Sequence, residues 1–402
     1  MTLNQLLKNK IFITFLVLGM LEPRCVGELA GYQGGIWSTL HHYNIWLLYI
    51  SLIVIIGIVL ISVRKISWIA IAVIIFQVYY VSTDINNNLA YMGDLIRAFE
   101  AIGLVLIIEI YCRKGIQKQL LEVMSFWLGL YIIINFMSII IYPTGMYIDS
   151  RGWAQNYFFG YKNSHIYVYL PYLVFSALRD ALKFGKLKLR FYVMVGIITV
   201  SCFLSGSSTS ALVLLLIAIL VVFAHGVTFP KWLNAATGMI ASAILSIAII
   251  GFNFQERFSG IIQWLFQKDA TFTNRVSIWT ASLSDIARNP IWGNGNGSVS
   301  IALYWDVTQC HNKFLDILFV GGAIMMAIFV WLTYLACSRL IKETGNVSAN
   351  IITFVMFGYA ILFLMESRRP DILIFAVYAL AFHIKYFNAQ IADVKIKHLL
   401  KK

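Results

Sequence analysis

Charge is what this sequence has least of. Only 12% of its 402 residues are Asp, Glu, Lys or Arg, while 60% are hydrophobic. Soluble domains carry about 25% charged residues. The deficit excludes cytosolic, secreted and nucleic-acid-binding proteins, because too little polar surface remains to face water. Apolar runs of the ~20 residues that cross a bilayer recur along the chain instead. The expectation is an all-α, polytopic integral membrane protein, folded as a single membrane domain over residues 1–402.

The carriers of metal and nucleotide chemistry are missing too. There is no Asp-x-Asp, no HExxH, no P-loop and no dinucleotide fingerprint. The five cysteines, Cys25, Cys112, Cys202, Cys310 and Cys337, show no metal or redox spacing and read as small apolar residues. No cofactor and no nucleic acid are expected. No internal repeat relates the two halves, which disfavours transporters built from inverted repeats. Lys8 and Lys10 before the run Ile11 to Leu21 resemble a signal peptide. That run ends in Glu22-Pro23-Arg24 with no small-x-small site, so an uncleaved first span is expected.

What is present is an alternation of apolar runs and basic punctuation. About twelve transmembrane helices are expected, near residues 9–22, 42–63, 66–82, 96–112, 120–142, 164–182, 191–205, 208–225, 233–251, 311–337, 350–366 and 371–388. With both ends cytoplasmic, 20 of the 31 basic residues fall inside and 11 outside, and the opposite orientation inverts the bias. The net charge of +13 therefore reports topology. One connection stands out, the polar stretch 252–310 between the ninth and tenth spans. Loops beyond ~15 residues are commonly functional. Asn274 is placed to cap a short helix within it, with apolar positions Val276, Trp279, Leu283 and Ile286, and Asn289-Pro290 to stop it. The outer loop 143–163 is second in size.

The outer cations are the first candidates for chemistry, since translocating positive charge runs against the insertion bias. Arg257, Lys268, Arg275 and Arg288 lie in the large loop, Arg151 and Lys162 in the loop 143–163, and Lys313, Arg368 and Arg369 at helix mouths. A guanidinium fork suits phosphate oxygens; a lipid headgroup contact is the plainer use of the same side chain. Arg275 and Trp279 share a helix face, at a helix start that favours anions. The run Trp292-Gly293-Asn294-Gly295-Asn296-Gly297 permits close backbone approach to a ligand or makes a simple turn. His41, His42, His165 and His311 lie at the outer face, and His311-Asn312 opens the tenth span. There the imidazole could take a proton from a sugar hydroxyl, oriented by Asn312 or Asp316, or it could snorkel at the interface. Arg97 and Glu100 stand at i,i+3 within a span, as a functional or a structural pair.

Several of these segments together resemble the O-antigen ligase and Wzy-type polysaccharide polymerase family of bacterial membrane enzymes. Asn274-Arg275-Val276-Ser277-Ile278-Trp279, followed by Asn289-Pro290-Ile291-Trp292-Gly293-Asn294-Gly295, is similar to that family's R-x3-W helix with Pro and Gly-x-Gly after it. His311-Asn312-Lys313-Phe314-Leu315, with Gly322 beyond, resembles its H-N-x-x-L entry to a helix. Phe159-Gly160-Tyr161-Lys162-Asn163-Ser164 resembles its Gly/Asn signature, and Leu204 to Ser210 its "Ser-Arg" segment. That segment lacks its Arg, with Ser208 or Thr209 in place, and Met325 stands where ligases tend to carry Gly, Thr or Tyr. Both departures turn the expectation from ligase to repeat-unit polymerase.

The resemblance implies an enzyme joining undecaprenyl-diphosphate-linked oligosaccharides at the outer face of the cytoplasmic membrane, beside a chain-length regulator and other assembly proteins. His311, Arg275 and Arg288 are the implied catalytic residues, and Arg151, Asn163, His165, Trp279, Asn312 and Arg368 the substrate-binding ones. Two rivals stay open: a transferase using a lipid-monophosphate sugar, with Glu22 or Glu28 as base, and a lipid-linked oligosaccharide flippase.

Overall fold

The computed structural model describes residues 2–149, 152, 155–224, 230–252, 275–301, 307–369 and 371–387. The Asn274 cap, Arg151, Arg257 and Lys268 lie outside the described residues. So do Lys395, Lys397, Lys401 and Lys402. A helix stands at every one of the twelve expected places. In chain order these and their companions are α1 Leu3–Lys8, α2 Lys10–Leu18, α3 Arg24–Tyr32, α4 Gly35–Ile58, α5 Trp68–Asn86, α6 Met92–Arg113, α7 Gln117–Ile141 and α8 Ile166–Phe184. Then come α9 Leu189–Leu204, α10 Ser208–Phe223, α11 Ala235–Phe252, α12 Arg275–Arg288, α13 Lys313–Lys342, α14 Val347–Met365 and α15 Leu373–Phe382.

Six are long and apolar enough to cross a membrane: α4 with the π-helical turn after it, α5, α7, α11, α13 and α14. Helices α9 and α15 are apolar but shorter, as is Ser210–Phe223 within α10. The chain is a multi-pass membrane protein.

Helix α8 is the hub. Every residue from Ile166 to Leu182 in it is buried, and α7, α14 and α15 pack around it. Its buried Arg179 pairs with Asp180, whose other oxygen accepts from the Lys188 amide at 3.0 Å and closes the turn into α9. Such pairing is what makes a buried charge tolerable.

Two features were not expected. Helix α3 fills the connection between α2 and α4 and folds against α4, with Cys25 and Leu29 in a small cluster with Tyr147. The loop 143–163 carries a two-stranded hairpin, Asn156–Tyr157 against Gly160–Tyr161.

The tenth expected helix is interrupted. Gly322 has φ +61° inside α13, so the ladder breaks there. The glycine-rich run after α12 repairs the break. Asn294 and Gly295 amides donate to the carbonyls of Phe319 and Val320 at 2.8 and 2.9 Å, and the Ala323 amide donates to Pro290 O at 2.9 Å. Both backbones must touch for this. A Cβ on Gly293 would stand 2.3 Å from Val320 O, and one on Gly322 2.3 Å from Ile291 O. The close approach read from the Gly spacing is therefore to the protein's own helix. Arg369 holds the next turn, donating to Asp316 at 2.8 Å through Nε and to Gly297 O at 3.1 Å through Nη1.

Candidate active site

Glu366 is the centre of the arrangement, and it was absent from the sequence candidates. It follows the last turn of α14. Arg275, the first residue of α12, donates from Nη2 to Glu366 Oε1 at 2.6 Å. Asn163 Nδ2 donates to the same oxygen at 3.4 Å. His311 Nδ1 stands 3.5 Å from Oε2. Burial alone would raise this carboxyl, but His311 and Arg275 hold it below the usual carboxylate range. Four segments far apart in sequence thus meet on one carboxylate.

The Ser-rich segment joins them. Ser207 Oγ is 3.2 Å from Asn163 Oδ1 and 2.7 Å from Ser210 Oγ. This segment reaches the cluster through hydroxyls. Trp279, one turn after Arg275, is buried at 2% exposure and anchors α12 in the core.

His311 has φ +50°, uncommon for a residue with a side chain. Asn312 fixes that turn. Its Oδ1 accepts from the Phe314 and Leu315 amides at 3.1 Å, capping α13, while Nδ2 donates to Ser246 Oγ at 2.9 Å. Neither Asn312 nor Asp316 orients the imidazole as expected, since Asn312 is spent on the cap and Asp316 on Arg369. Glu366 takes that role. The His311 side chain keeps 32% exposure.

His165 is placed differently. Its side chain lies among Tyr157, Phe159 and Tyr169, with Nε2 3.0 Å from Gly160 O and Nδ1 3.4 Å from Asn135 Nδ2. Burial pushes it down to about 4. It is a core histidine tying the hairpin to α8, and both ring nitrogens are occupied, so it does not serve as a substitute base or a ligand contact.

Arg288 is also elsewhere. It ends α12, thirteen residues from Arg275, which at ~1.5 Å and ~100° per residue sets the two about 20 Å apart on different faces. One diphosphate cannot bridge them. Among the described residues Arg288 reaches only Asp285 in its own helix, at 3.3 Å, and its side chain is 69% exposed. The buried face of α12 is Ile278, Trp279, Ser282 and Asp285, while Leu283, expected inside, is 44% exposed. Asp285 turns inward because its Oδ2 accepts the Ser300 amide at 2.8 Å.

Arg368 donates from Nη1 to Ser164 O at 3.2 Å, so it borders the same cluster. Arg97 is clasped by both oxygens of Glu100, at 3.0 and 2.9 Å, which makes it the ion pair that its spacing allowed.

With this geometry in place, the comparison with protein families is direct. Residues 193–330 match the family described as O-antigen ligase. This stretch is O-antigen-ligase-like. It contains α9 to α12, the glycine-rich run, His311 and the kink of α13, and so supports the resemblance read from the motifs. The ligase-like stretch carries Ser207, Arg275 and His311, whereas Asn163, Glu366 and Arg368 lie outside it. The match covers about a third of the chain, and over that stretch the membrane protein is similar to O-antigen ligases. No curated protein and no solved structure matches the chain.

Glu366 left one trace in the sequence. It is an acidic residue one serine before Arg368-Arg369, between two apolar runs, where an ionisable group is costly and calls for a role. Its partners lie 55 or more residues away in the chain, so no local pattern ties them together.

Proposed function

We propose that the chain is a glycan polymerase of the cytoplasmic membrane, with both termini inside and the cluster at the outer face. It transfers a growing oligosaccharide from an undecaprenyl diphosphate carrier to the terminal sugar of a second lipid-linked repeat unit. The observation that carries this reading is the His311–Glu366–Arg275 arrangement beneath a partly exposed imidazole. Nδ1 faces the carboxylate, which leaves Nε2 for the acceptor hydroxyl. His311 takes the hydroxyl proton as the oxygen attacks the anomeric carbon, and the sugar–phosphate bond breaks to release the lipid diphosphate. Glu366 stabilises the imidazolium that forms and Arg275 fixes the carboxylate. A diphosphate leaves as an anion, so the reaction asks for cations near it rather than a strong acid. Energy comes from the sugar–phosphate bond itself. Asn163 and Trp279 support the site, and a chain-length regulator would act from beside it.

A ligase differs in its acceptor, and the description of the matched family favours that second reading. Cells lacking the gene decide between them. A polymerase defect leaves single repeat units on the lipid carrier, while a ligase defect leaves long polymer unattached to its final acceptor. Long lipid-linked polymer in the deletion strain would overturn the polymerase reading.

A further inference from the structure

Beside the Glu366 cluster, a cavity of about 60 Å³ opens between the start of α3, α6, α8 and the turn joining α14 to α15. It holds a few waters by volume, room for one phosphoryl group and too little for a sugar ring. Three guanidiniums line it, from Arg24, Arg97 and Arg368, together with Glu22, Glu100 and Asp371. The three are not equivalent. Arg97 is clasped by Glu100 and stands 3.7 Å from Glu22. Arg24 pairs with Glu28 at 2.7 Å. Among the described residues no carboxylate lies within ion-pair distance of Arg368, and its buried Nε has no hydrogen-bond partner. Its guanidinium centre stands 5.9 Å from the Tyr167 ring. Burial and the positive charges of Arg24 and Arg97 push it down to about 10, against the Asp371 carboxylate, which draws it up. The protein thus holds a buried cation with one donor unused and, among the described residues, no carboxylate in contact with it, beside two cations that repel it.

We propose that this cavity anchors a phosphoryl group of the diphosphate lipid, with Arg368 as its principal ligand and Arg24 and Arg97 completing the cradle. The assignment rests on the polymerase reading for the identity of the lipid. It explains why the ligase-like stretch can lack its Ser-segment arginine: the positive charge is supplied from outside residues 193–330. It also places the anion correctly. Arg368 follows Glu366 by two residues, about 7 Å along an extended chain. A phosphoryl group in the cavity would therefore hold its sugar near His311. Arg275, held by Glu366 on the far side of that carboxylate from His311's contact, is left to position rather than to bind. A guanidinium offers two parallel donors to phosphate oxygens, which Lys cannot reproduce.

The test is binding, read on purified full-length protein in lipid nanodiscs with undecaprenyl diphosphate as the probe. Inorganic pyrophosphate and phosphatidylglycerol serve as comparators. Arg368→Gln should weaken undecaprenyl diphosphate binding by on the order of tenfold or more, the usual weight of a charge-assisted contact. Arg368→Lys should fall between. His311→Gln should bind the probe like wild type, which separates this site from the catalytic assignment. If Arg368→Gln does not accumulate, Arg24→Gln replaces it, since Arg24 is one-third exposed and meets only Glu28. Wild-type affinity in whichever Gln variant folds would overturn the proposal. So would pyrophosphate or phosphatidylglycerol binding as tightly as the carrier lipid, because the cavity would then serve any anion.

Discussion

Two histidines stand at helix starts, His165 at α8 and His311 at α13, and their surroundings set them apart. His165 is closed in by three aromatic rings, with one ring nitrogen on a backbone carbonyl and the other on Asn135. His311 sits on a strained turn with a third of its side chain exposed, and a carboxylate faces one nitrogen. The first has no position left for a substrate proton, and the second has one. Residue type and position in the topology are alike; exposure and partner decide. A base needs an open nitrogen and an anion to stabilise its charged form, and of these two His311 has both.

The sharpest break in this comparison comes from removing each ring. His311→Ala should lower turnover by ~100- to 10,000-fold, the usual cost of losing a general base. Membrane accumulation and melting temperature should stay near wild type, because the ring is half open and caps nothing. His165→Ala should do the reverse, lowering the melting temperature through the lost packing and hydrogen bonds while surviving protein keeps its turnover. A His311→Ala enzyme with wild-type turnover would remove the base from the mechanism. Glu366→Gln should give an intermediate loss, since the imidazole remains but its charged form loses its carboxylate.

The interlock at the kink of α13 joins the helix that His311 precedes to the glycine run after α12, and its glycines come next in effect. Gly293→Ala and Gly322→Ala each add a Cβ 2.3 Å from a carbonyl oxygen, at φ +78° and +61°. Left-handed backbone costs a residue with a side chain about 1–2 kcal/mol and overpacking a further 1–3 kcal/mol. Each variant should melt at a clearly lower temperature. The pair should cost less than the sum, because both touch one interlock. Additive losses would mean that the two glycines act separately.

How much of this was legible beforehand follows from the range of the interactions. Twelve helices stood where apolar runs placed them, since a span is encoded by its own residues. The helix Arg275–Arg288 ended where Asn289-Pro290 required. Arg275, His311 and Asn163 were named from motifs, and the structure brings them to one carboxylate. Glu366, the residue that gathers them, was missed because the bonds joining it to Asn163, Arg275 and His311 bridge 203, 91 and 55 residues. Helix α3 was missed because it is short and amphipathic, and its apolar face is explained only by α4. The glycine run was read as a close approach to a ligand or a simple turn, since spacing reports that a backbone comes close without saying to what.

Acid should separate the two histidines further. His165 is held neutral in the fold, down to about 4, whereas an unfolded histidine titrates near 6.5. Below about 6.5 the unfolded chain therefore binds a proton that the folded chain refuses. This contribution to stability is present above pH 6.5 and is lost progressively toward pH 4. The cause is mainly burial; among charged groups only Arg368 adds to it, and the Gly160 carbonyl opposes both. Melting temperature in detergent should fall more steeply over that window for wild type than for His165→Asn. Parallel curves would show that His165 is hydrated in solution.

The smallest effect belongs to Arg288. Helix α12 presents Arg275 at its first residue and Arg288 at its last, so the two ends of one helix make a comparison within the site itself. The first guanidinium is held at 2.6 Å by a buried carboxylate, and the second is exposed, with only an i,i+3 contact to Asp285. Exposed pairs of that kind contribute ~0–1 kcal/mol. Asp285 does not depend on it, because the Ser300 amide also holds that carboxylate. Arg288→Ala should therefore leave polymer length and melting temperature close to wild type, within the ±0.5 kcal/mol usual for surface changes. Arg275→Ala should release Glu366 and disorder His311, shortening the polymer. Kinetics on the two variants side by side decide the matter. A loss in Arg288→Ala as large as in Arg275→Ala would place substrate at both ends of α12, and the acceptor glycan would then have to run along the helix.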